Sequence, residues 1–160
     1  MTPLILENVL SDGEYNKLVE SLPDDKDCDF DENRSRYLLD YPYARSVGMN
    51  LRETARSIFN SNLLEPSYSL MARYRGDANM EFHVDSNACT YTIDMCVRQT
   101  EPWGLWVSGV EYILHPNQAL CYLGNDHWHG RKMKCFPEGG FVEMIFFHYV
   151  EPSHWWFDGR

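Results

Sequence analysis

Two residues with side chains suited to a metal ion lie two positions apart in a stretch rich in strand-forming residues. His83 and Asp85 are separated only by Val84. In an extended strand, residues i and i+2 point to the same face, so the imidazole and the carboxylate would project together. These are two of the three ligands in the 2-His-1-carboxylate triad, which holds Fe(II) and leaves coordination positions open. Because His-x-Asp is common by chance, the pair needs a third ligand from elsewhere.

Candidates for this third ligand occur late in the chain, in segment 122–131. The segment contains His127 and His129 and ends on Arg131, shortly before an apolar stretch at 141–150. Alternation does not separate the two histidines, because both would face the same side of an extended backbone. The order of a His-x-Asp pair, several strands, a late histidine and a closing apolar strand is a specific arrangement that favours an iron site.

The elements that must position these residues begin with two predicted helices. Residues 8–22 are predicted to form a helix with its lead-in, because Ser11 and Glu14 have the spacing of a capping box. A second helix is predicted over 50–63, where apolar residues recur on one face. The polar, acidic stretch 24–35 is predicted to be a surface loop.

From residue 67 onward, short segments rich in β-branched and aromatic residues alternate with Gly, Pro, Asn and Asp. Strands are predicted near 67–75, 80–85, 90–98, 103–109, 110–114, 118–123 and 141–150. This spacing favours an antiparallel jelly roll. The predicted fold class is α+β: a double-stranded β-helix (jelly roll) with N-terminal helices. It is expected to form a single domain over 1–160, with 1–66 as helical support and 67–160 as the jelly-roll core.

Composition excludes several classes of function. A net charge of -10 with few clustered Lys or Arg argues against nucleic acid or an anionic membrane surface as a partner. No apolar run approaches the roughly 18 residues of a membrane span. Five cysteines without a CxxC pair argue against a disulfide framework or a zinc finger, and favour free thiols in the cytoplasm.

With these features, the chain resembles the 2-oxoglutarate/Fe(II)-dependent oxygenase superfamily over residues 67–160, and is similar to its prolyl-hydroxylase-like branch. The tail resembles an uncharacterised subgroup in which a distal His follows a Gly by five residues and an Arg lies two residues beyond that His. Gly124, His129 and Arg131 match this His-x-Arg element. Gly130 stands where the subgroup has Trp, so the match is partial.

The resemblance implies an Fe(II) site and a site for 2-oxoglutarate as co-substrate. Its metal ligands would be His83, Asp85 and one of His127 or His129, and the spacing from Gly124 favours His129. His127 would then lie at the rim of the pocket.

Many members of the superfamily place an Arg or Lys about ten residues after the distal His, where it pairs with the far carboxylate of 2-oxoglutarate. Here that region, 137–141, has no cation. Arg131 is the best substitute, because a guanidinium can grip a carboxylate with two hydrogen bonds. Tyr74 and Tyr91 are expected to add hydroxyl donors. The alternative is that Arg131 is a surface cation.

The activity that the resemblance implies is that of a dioxygenase. It would use O2 to hydroxylate a C–H bond of an amino acid, a small metabolite or a peptidyl residue. Related halogenases replace the carboxylate ligand with a small residue, so Asp85 favours hydroxylation. The loops 24–46 and 76–80 are expected to shape the pocket.

Two alternatives remain from the sequence. A cupin-type metalloenzyme would use the His-x-His of residues 127–129, although cupins place this motif earlier in the chain. A non-catalytic jelly-roll module that binds a ligand or partner would leave the combination of His-x-Asp and a distal His unexplained.

Overall fold

The computed structural model describes residues 1–31 and 35–157. Its α-helices are α1 (Asp12–Glu20), α2 (Pro42–Asn50) and α3 (Arg52–Phe59), and short 3-10 turns occur at Asp25–Asp27, Asn87–Cys89 and Trp155–Phe157. Its strands are β1 (Leu4–Leu6), β2 (Asp29–Phe30), β3 (Ser35–Leu39), β4 (Glu65–Arg75), β5 (Asp77–His83), β6 (Tyr91–Gln99), β7 (Leu105–Val107), β8 (Val110–Tyr112), β9 (Ala119–Tyr122), β10 (His129–Cys135) and β11 (Phe141–Val150). None of the helices in these residues is long and apolar enough to cross a membrane.

The strands form two antiparallel sheets with a shared apolar interior. One sheet has seven strands in the order β1-β9-β6-β11-β4-β3-β2, and the other has four in the order β5-β10-β7-β8. From β4 onward the chain passes repeatedly between the sheets, which is the path of a jelly roll. The predicted double-stranded β-helix is therefore confirmed, and each of the strands predicted between residues 67 and 150 is present.

Strand β6 shows how the seven-stranded sheet separates two apolar clusters. Ile93 and Met95 point to the side that the helices cover, where they pack with helical residues such as Leu18 and Val47. Cys96 points to the other side and packs between the two sheets. Alternation along a strand therefore decides which side chains can reach the interior of the jelly roll.

The N-terminal segment 1–66 differs from the predicted helical support. The capping box of Ser11 and Glu14 is present and begins α1, as predicted. The segment also supplies three strands, β1, β2 and β3, which extend the seven-stranded sheet. The N-terminal segment therefore adds hydrogen-bonded strands to a sheet of the jelly roll as well as helices that pack on it.

The second predicted helix is also corrected. The range 50–63 is too long, because α3 ends at Phe59 and is capped by Asn60, which adopts a left-handed conformation (φ 53°). A separate helix, α2, precedes it in the chain and has Pro42 at its first position. The predicted loop 24–46 consequently contains β2, β3 and the start of α2, although residues 32–34 lie outside the described part. The predicted loop 76–80 lies mostly within β5.

Strand β10 has no counterpart among the predicted strands. Its sequence is polar and lacks an apolar alternation, which hides it from pattern-based prediction. In the structure it lies inside the four-stranded sheet, between β5 and β7. Hydrogen bonding to β5 on one side and β7 on the other therefore stabilises β10, although its amino-acid composition does not predict a strand.

Candidate metal centre

The two histidines at the centre of the candidate site come from neighbouring antiparallel strands. His83 ends β5 and His129 begins β10, and the two residues are cross-strand partners in the sheet. Their ring centroids are 4.4 Å apart. Side chains of directly opposed residues on one face lie side by side, so the register alone brings the two imidazoles together.

Asp85 completes the cluster from the loop that follows β5. Its backbone N–H donates a hydrogen bond to the carbonyl of Gly124, at 2.9 Å. The carboxylate Oδ1 lies 3.3 Å from His83 Nε2 and 3.6 Å from His129 Nε2. One ligand atom from each residue lies within 4.8 Å of the others. The structure thus brings together the three residues that the sequence predicts as ligands.

Residue 124 has no room for a side chain, because the Asp85 carboxylate packs against Gly124. A Cβ atom at residue 124 would lie 2.5 Å from Asp85 Oδ2 and 2.5 Å from the carbonyl oxygen of Cys89. Any larger residue would push the carboxylate away from the histidines. Gly124, from which the five-residue spacing to His129 was measured in the sequence, therefore also has a steric role at the site.

Backbone hydrogen bonds orient both imidazoles. Nδ1 of His83 lies 2.7 Å from the carbonyl oxygen of Glu81, and Nδ1 of His129 lies 2.8 Å from that of His127. Each Nδ1–H can donate to the carbonyl two residues earlier, which leaves Nε2 directed at Asp85, where it can donate a proton to the carboxylate or, when unprotonated, offer its lone pair to a metal. Metal-binding histidines commonly have this arrangement, in which one ring nitrogen is fixed by an outer hydrogen bond.

The environment of the cluster shifts the pKa values of the two histidines in opposite directions and favours an ionised Asp85. The hydrogen bond with Asp85 raises the pKa of His83, whereas burial lowers the pKa of His129. Burial acts to raise the pKa of Asp85, but the hydrogen bond from His83 and the charge of His129 outweigh it and lower that pKa. Two imidazole nitrogens and one carboxylate are a donor set that suits Fe(II). These residues therefore fit the metal that the sequence resemblance implies.

A β-bulge lies directly beside the histidine pair. Partners shift from His129–His83 to Arg131–Met80, so Gly130 opposes two residues of β5 instead of one. A bulge of this kind re-aims side chains at a sheet edge or a site. Here it lets both Met80 and His83 point into the interior, although they are three residues apart.

His127 lies outside the cluster. Its Nδ1 is 3.0 Å from the carbonyl oxygen of Leu123, and its Nε2 is 2.9 Å from that of Met1. Both ring nitrogens therefore face backbone carbonyls. Of the two histidines left open by the sequence, the structure brings His129 to the other ligands and places His127 against the N-terminus of the chain.

A cavity of about 130 Å³ opens next to the ligands and extends between the sheets. It is lined by Tyr68, Leu70, Tyr74, Met80, His83, Asp85, Asp94, Tyr122, His129, Phe146 and His148. Tyr74, predicted as a hydroxyl donor, is among them. Burial raises the pKa of Tyr74 to about 12, so its hydroxyl stays protonated and able to donate.

Arg131 is buried, with 3% of its surface exposed, and it interacts electrostatically with Tyr74, Asp94 and Tyr122, which line this cavity. Its Nη1 donates to the carbonyl of Trp103, and its guanidinium carbon lies 5.0 Å from the centre of that indole ring. Its Nη2 lies 3.6 Å from the sulfur of Met144 on β11. The side chain thus begins on β10 and reaches the last strand. The alternative interpretation of Arg131 as a surface cation is wrong.

Tyr91 does not reach the cavity. It begins β6 on the side that faces the helices, where its ring packs edge-to-face on Phe59 of α3 at 5.1 Å. By alternation its neighbour Thr92 points inward instead, and donates to the carbonyl of Cys89. The structure therefore gives no support to the predicted role of Tyr91, because the residue lies on the wrong face of its strand.

Sequence reasoning missed several polar residues of the cavity. Asp94 and Tyr122 lie on neighbouring strands, and the Tyr122 hydroxyl donates to Asp94 Oδ2 at 2.8 Å. His148 of β11 also lines the cavity, and burial lowers its pKa to about 4. An isolated carboxyl in an otherwise apolar strand was the available signal for Asp94.

Comparison with known proteins rests on structure. No protein-family model matches the chain, and no curated protein sequence does. Among solved structures, HygX from Streptomyces hygroscopicus, with nickel, 2-oxoglutarate and hygromycin B bound, superimposes with a TM-score of 0.73 at 13% identity. The match covers 94% of this chain and 83% of HygX.

Two further structures show the same likeness. The viral collagen prolyl hydroxylase of Paramecium Bursaria Chlorella virus-1, in complex with 2-oxoglutarate, has a TM-score of 0.70 at 13% identity, covering 93% of this chain and 95% of its own. The α-ketoglutarate-dependent epimerase SnoN from nogalamycin biosynthesis has a TM-score of 0.73 at 10% identity, covering 93% and 78%. The chain therefore has the double-stranded β-helix fold of the 2-oxoglutarate/Fe(II)-dependent oxygenases.

Proposed function

We propose that the chain is a non-haem Fe(II) oxygenase that uses 2-oxoglutarate as co-substrate, with His83, Asp85 and His129 as the metal ligands. The observation that carries this proposal is the convergence of two imidazole nitrogens and one carboxylate oxygen within 4.8 Å of one another. The likeness to 2-oxoglutarate-dependent enzymes supports it, because the same fold in those proteins holds the same co-substrate. A metal-free module would have no need for histidines aligned in this way.

Iron and 2-oxoglutarate would supply the oxidising chemistry, and the protein would bind and orient the reactants. The two histidines and Asp85 would occupy one side of the metal and leave the cavity side open. Arg131 would pair with the far carboxylate of the co-substrate, since it is a buried cation that interacts with the cavity residues Tyr74, Asp94 and Tyr122. Tyr74 would add a hydrogen bond from its protonated hydroxyl. The apolar side chains of Leu70, Met80 and Phe146 would exclude water from the reacting centre.

We infer hydroxylation of a C–H bond as the reaction. The carboxylate ligand is present at residue 85, whereas halogenating relatives lack it. The substrate would be a small molecule or a peptidyl residue that enters past the rim of the site. Exposed apolar side chains at this rim, Phe82 and Val84 among them, would contact it. HygX was solved with hygromycin B, and SnoN is an epimerase, so this fold accommodates more than one substrate and reaction.

The test of this proposal is iron binding by the variant Asp85→Ala. Prepared anaerobically, the wild-type protein should bind about one Fe(II) per chain, and 2-oxoglutarate should then give a visible charge-transfer band. Asp85→Ala should lose most of the iron and the band, because two imidazoles remain without their carboxylate. Asp126→Ala is the matched control, since this aspartate lies in the turn before β10 and should leave both signals unchanged. Full iron binding by Asp85→Ala would contradict the assignment of the ligands.

A succinate-release screen would then identify the substrate class. The loaded protein would be given amino acids, small metabolites and peptides in turn, with 2-oxoglutarate and O2. A hydroxylase should form succinate and a product heavier by one oxygen atom in equal amounts. Succinate formed with a product of unchanged or lower mass would indicate epimerisation or ring closure instead.

A further inference from the structure

Within residues 1–31 and 35–157, two buried polar atoms between the sheets lack a hydrogen-bond partner. Asp94 is 1% exposed, and its Oδ2 accepts a hydrogen bond from Tyr122, but its Oδ1 has none. Nε of Arg131 is likewise buried without a partner. An unpaired polar atom in an apolar interior costs free energy, so each such atom calls for an explanation. Because Asp94 lines the cavity beside the metal ligands, a bound ligand would supply its partner.

The charges around this cavity constrain what the partner can be. Asp94 shares the cavity with titratable side chains from every neighbouring element: Tyr68 and Tyr74 from β4, His83 and Asp85 from the end of β5, Tyr122 from β9, His129 from β10 and His148 from β11. The charge of Arg131 on β10 also acts on Asp94. Among these described side chains, Arg131 alone has a fixed positive charge. One guanidinium can balance one buried carboxylate. A second carboxylate, brought by a ligand, would leave an unbalanced negative charge in a dry site.

We propose that Asp94 binds the far carboxylate of 2-oxoglutarate as a neutral carboxylic acid, with Oδ1–H as the donor beside Arg131, so that co-substrate binding takes up one proton. The proposal rests on the function proposed above and assigns a further positioning residue to its co-substrate site. Arg131 would supply the positive charge and Asp94 a neutral donor. The two unpaired atoms, Arg131 Nε and Asp94 Oδ1, would then both face an acceptor.

The protonation behaviour of the pair agrees with this geometry. Burial raises the pKa of Asp94 to about 8, the charge of Asp85 adds to the effect, and the hydrogen bond from Tyr122 partly opposes it. Burial also raises the pKa of Tyr122 well above its usual value, so Tyr122 remains the donor to Oδ2. The proton on Oδ1 would therefore come from solvent. No covalent bond changes other than O–H formation.

The sign of the pH dependence follows from this assignment. Below the pKa of Asp94 the carboxyl is already neutral, and 2-oxoglutarate binds without a change in protonation. Above that pKa, binding must first protonate Asp94, so affinity should fall about tenfold per pH unit while proton uptake rises towards about one.

Asp94→Asn is the variant that tests the proposal. The amide has the shape of the neutral acid: its oxygen still accepts from Tyr122, and its NH2 group donates without titrating. Titration calorimetry of 2-oxoglutarate into Ni(II)-loaded protein, in pairs of buffers with different ionisation enthalpies, counts the protons taken up. At about pH 9, the wild type should take up about one proton more than Asp94→Asn. At about pH 7, the two affinities should agree within roughly threefold.

The second variant, Tyr122→Phe, keeps the test decisive if Asp94→Asn does not fold. It removes a hydrogen bond that favours the ionised carboxylate of Asp94. The affinity of the variant for 2-oxoglutarate should therefore begin to decline at a higher pH than the affinity of the wild type does. Equal proton uptake by the wild type and Asp94→Asn would overturn the proposal. It would also be overturned if the affinity of Tyr122→Phe for 2-oxoglutarate declined at the same pH as that of the wild type, or at a lower pH. If the wild type binds no 2-oxoglutarate at any pH, the proposed function itself fails.

Discussion

Each candidate ligand histidine has one ring nitrogen hydrogen-bonded to a nearby backbone carbonyl and the other directed at Asp85. The Nδ1 atoms of His83 and His129 both reach the carbonyl oxygen two residues earlier in the chain. His127 differs, because both of its ring nitrogens lie within hydrogen-bonding distance of a backbone carbonyl oxygen. The difference between the two late histidines therefore depends on hydrogen bonds, which residue spacing cannot reveal.

A matched pair of alanine variants tests this difference. His129→Ala should weaken Fe(II) binding by more than the roughly 10–100-fold loss typical of residues that only support a ligand. His127→Ala should leave iron affinity nearly unchanged, because the bond that orients His129 goes to the backbone carbonyl of residue 127 and survives the substitution. Iron affinity would be measured anaerobically by competition with a chelator. Loss of iron from His127→Ala alone would reverse the assignment.

The sequence could predict the ligands but only part of the reason for their placement. His83 and Asp85 were expected to project from one strand, yet β5 ends at His83. Asp85 is placed by its backbone hydrogen bond to Gly124, which lies far along the chain. Arg131 was identified as the best cation, but its burial depends on the indole of Trp103 and on Met144, whose positions follow from the fold.

At the scale of elements, the site depends on the pairing of β5 with β10. The jelly-roll strands could be predicted from their apolar composition, whereas β10 could not, since its residues are mostly polar. The bulge opposite Gly130 was equally hidden, because a bulge is a property of two paired strands. Helix α2 was missed although Pro42 marks its first turn, because the preceding acidic stretch suggested one long loop.

Gly130→Ala tests how closely the bulge is packed. A Cβ at this position would lie 2.8 Å from Cα of Phe82 and 2.9 Å from the carbonyl oxygen of Met80. Because backbone atoms cannot move aside cheaply, β5 and β10 must separate, and we expect a loss of about 1–3 kcal/mol in the free energy of unfolding. Iron affinity should fall as well, since the histidine pair spans the same two strands.

Gly13→Ala is the matched control for this substitution. It lies in α1 with no atom within 4 Å of the added Cβ. There the change should stabilise the protein by about 0.5–1 kcal/mol, because alanine is the better helix former. Urea unfolding of the two variants gives both values. Equal effects at the two glycines would show that the bulge tolerates a side chain.

At the scale of the whole molecule, a buried carboxylate joins distant parts of the chain. Glu143 of β11 is fully buried and forms salt bridges with Arg73 of β4 and Arg98 of β6. Arg73 also bonds to Asp25 and to the carbonyl of Pro23, in the segment that follows α1. This network therefore ties the N-terminal segment to the centre of the seven-stranded sheet, on the face opposite the cavity.

Glu143→Gln should destabilise the whole fold without altering the metal ligands. The amide keeps the size of the side chain but leaves Arg73, only 5% exposed, short of a compensating charge. Removing one partner of a buried ion pair typically costs about 3–5 kcal/mol, and Asp25 should hold the loss near the lower end by continuing to pair with Arg73. Glu53→Gln is the control, because its pair with Arg56 is largely exposed and should contribute less than about 1 kcal/mol. Urea unfolding measures both losses, and iron titration at low urea should give wild-type affinity for each variant. A loss for Glu143→Gln no larger than that for Glu53→Gln would mean that apolar packing alone holds the N-terminal segment against the sheet.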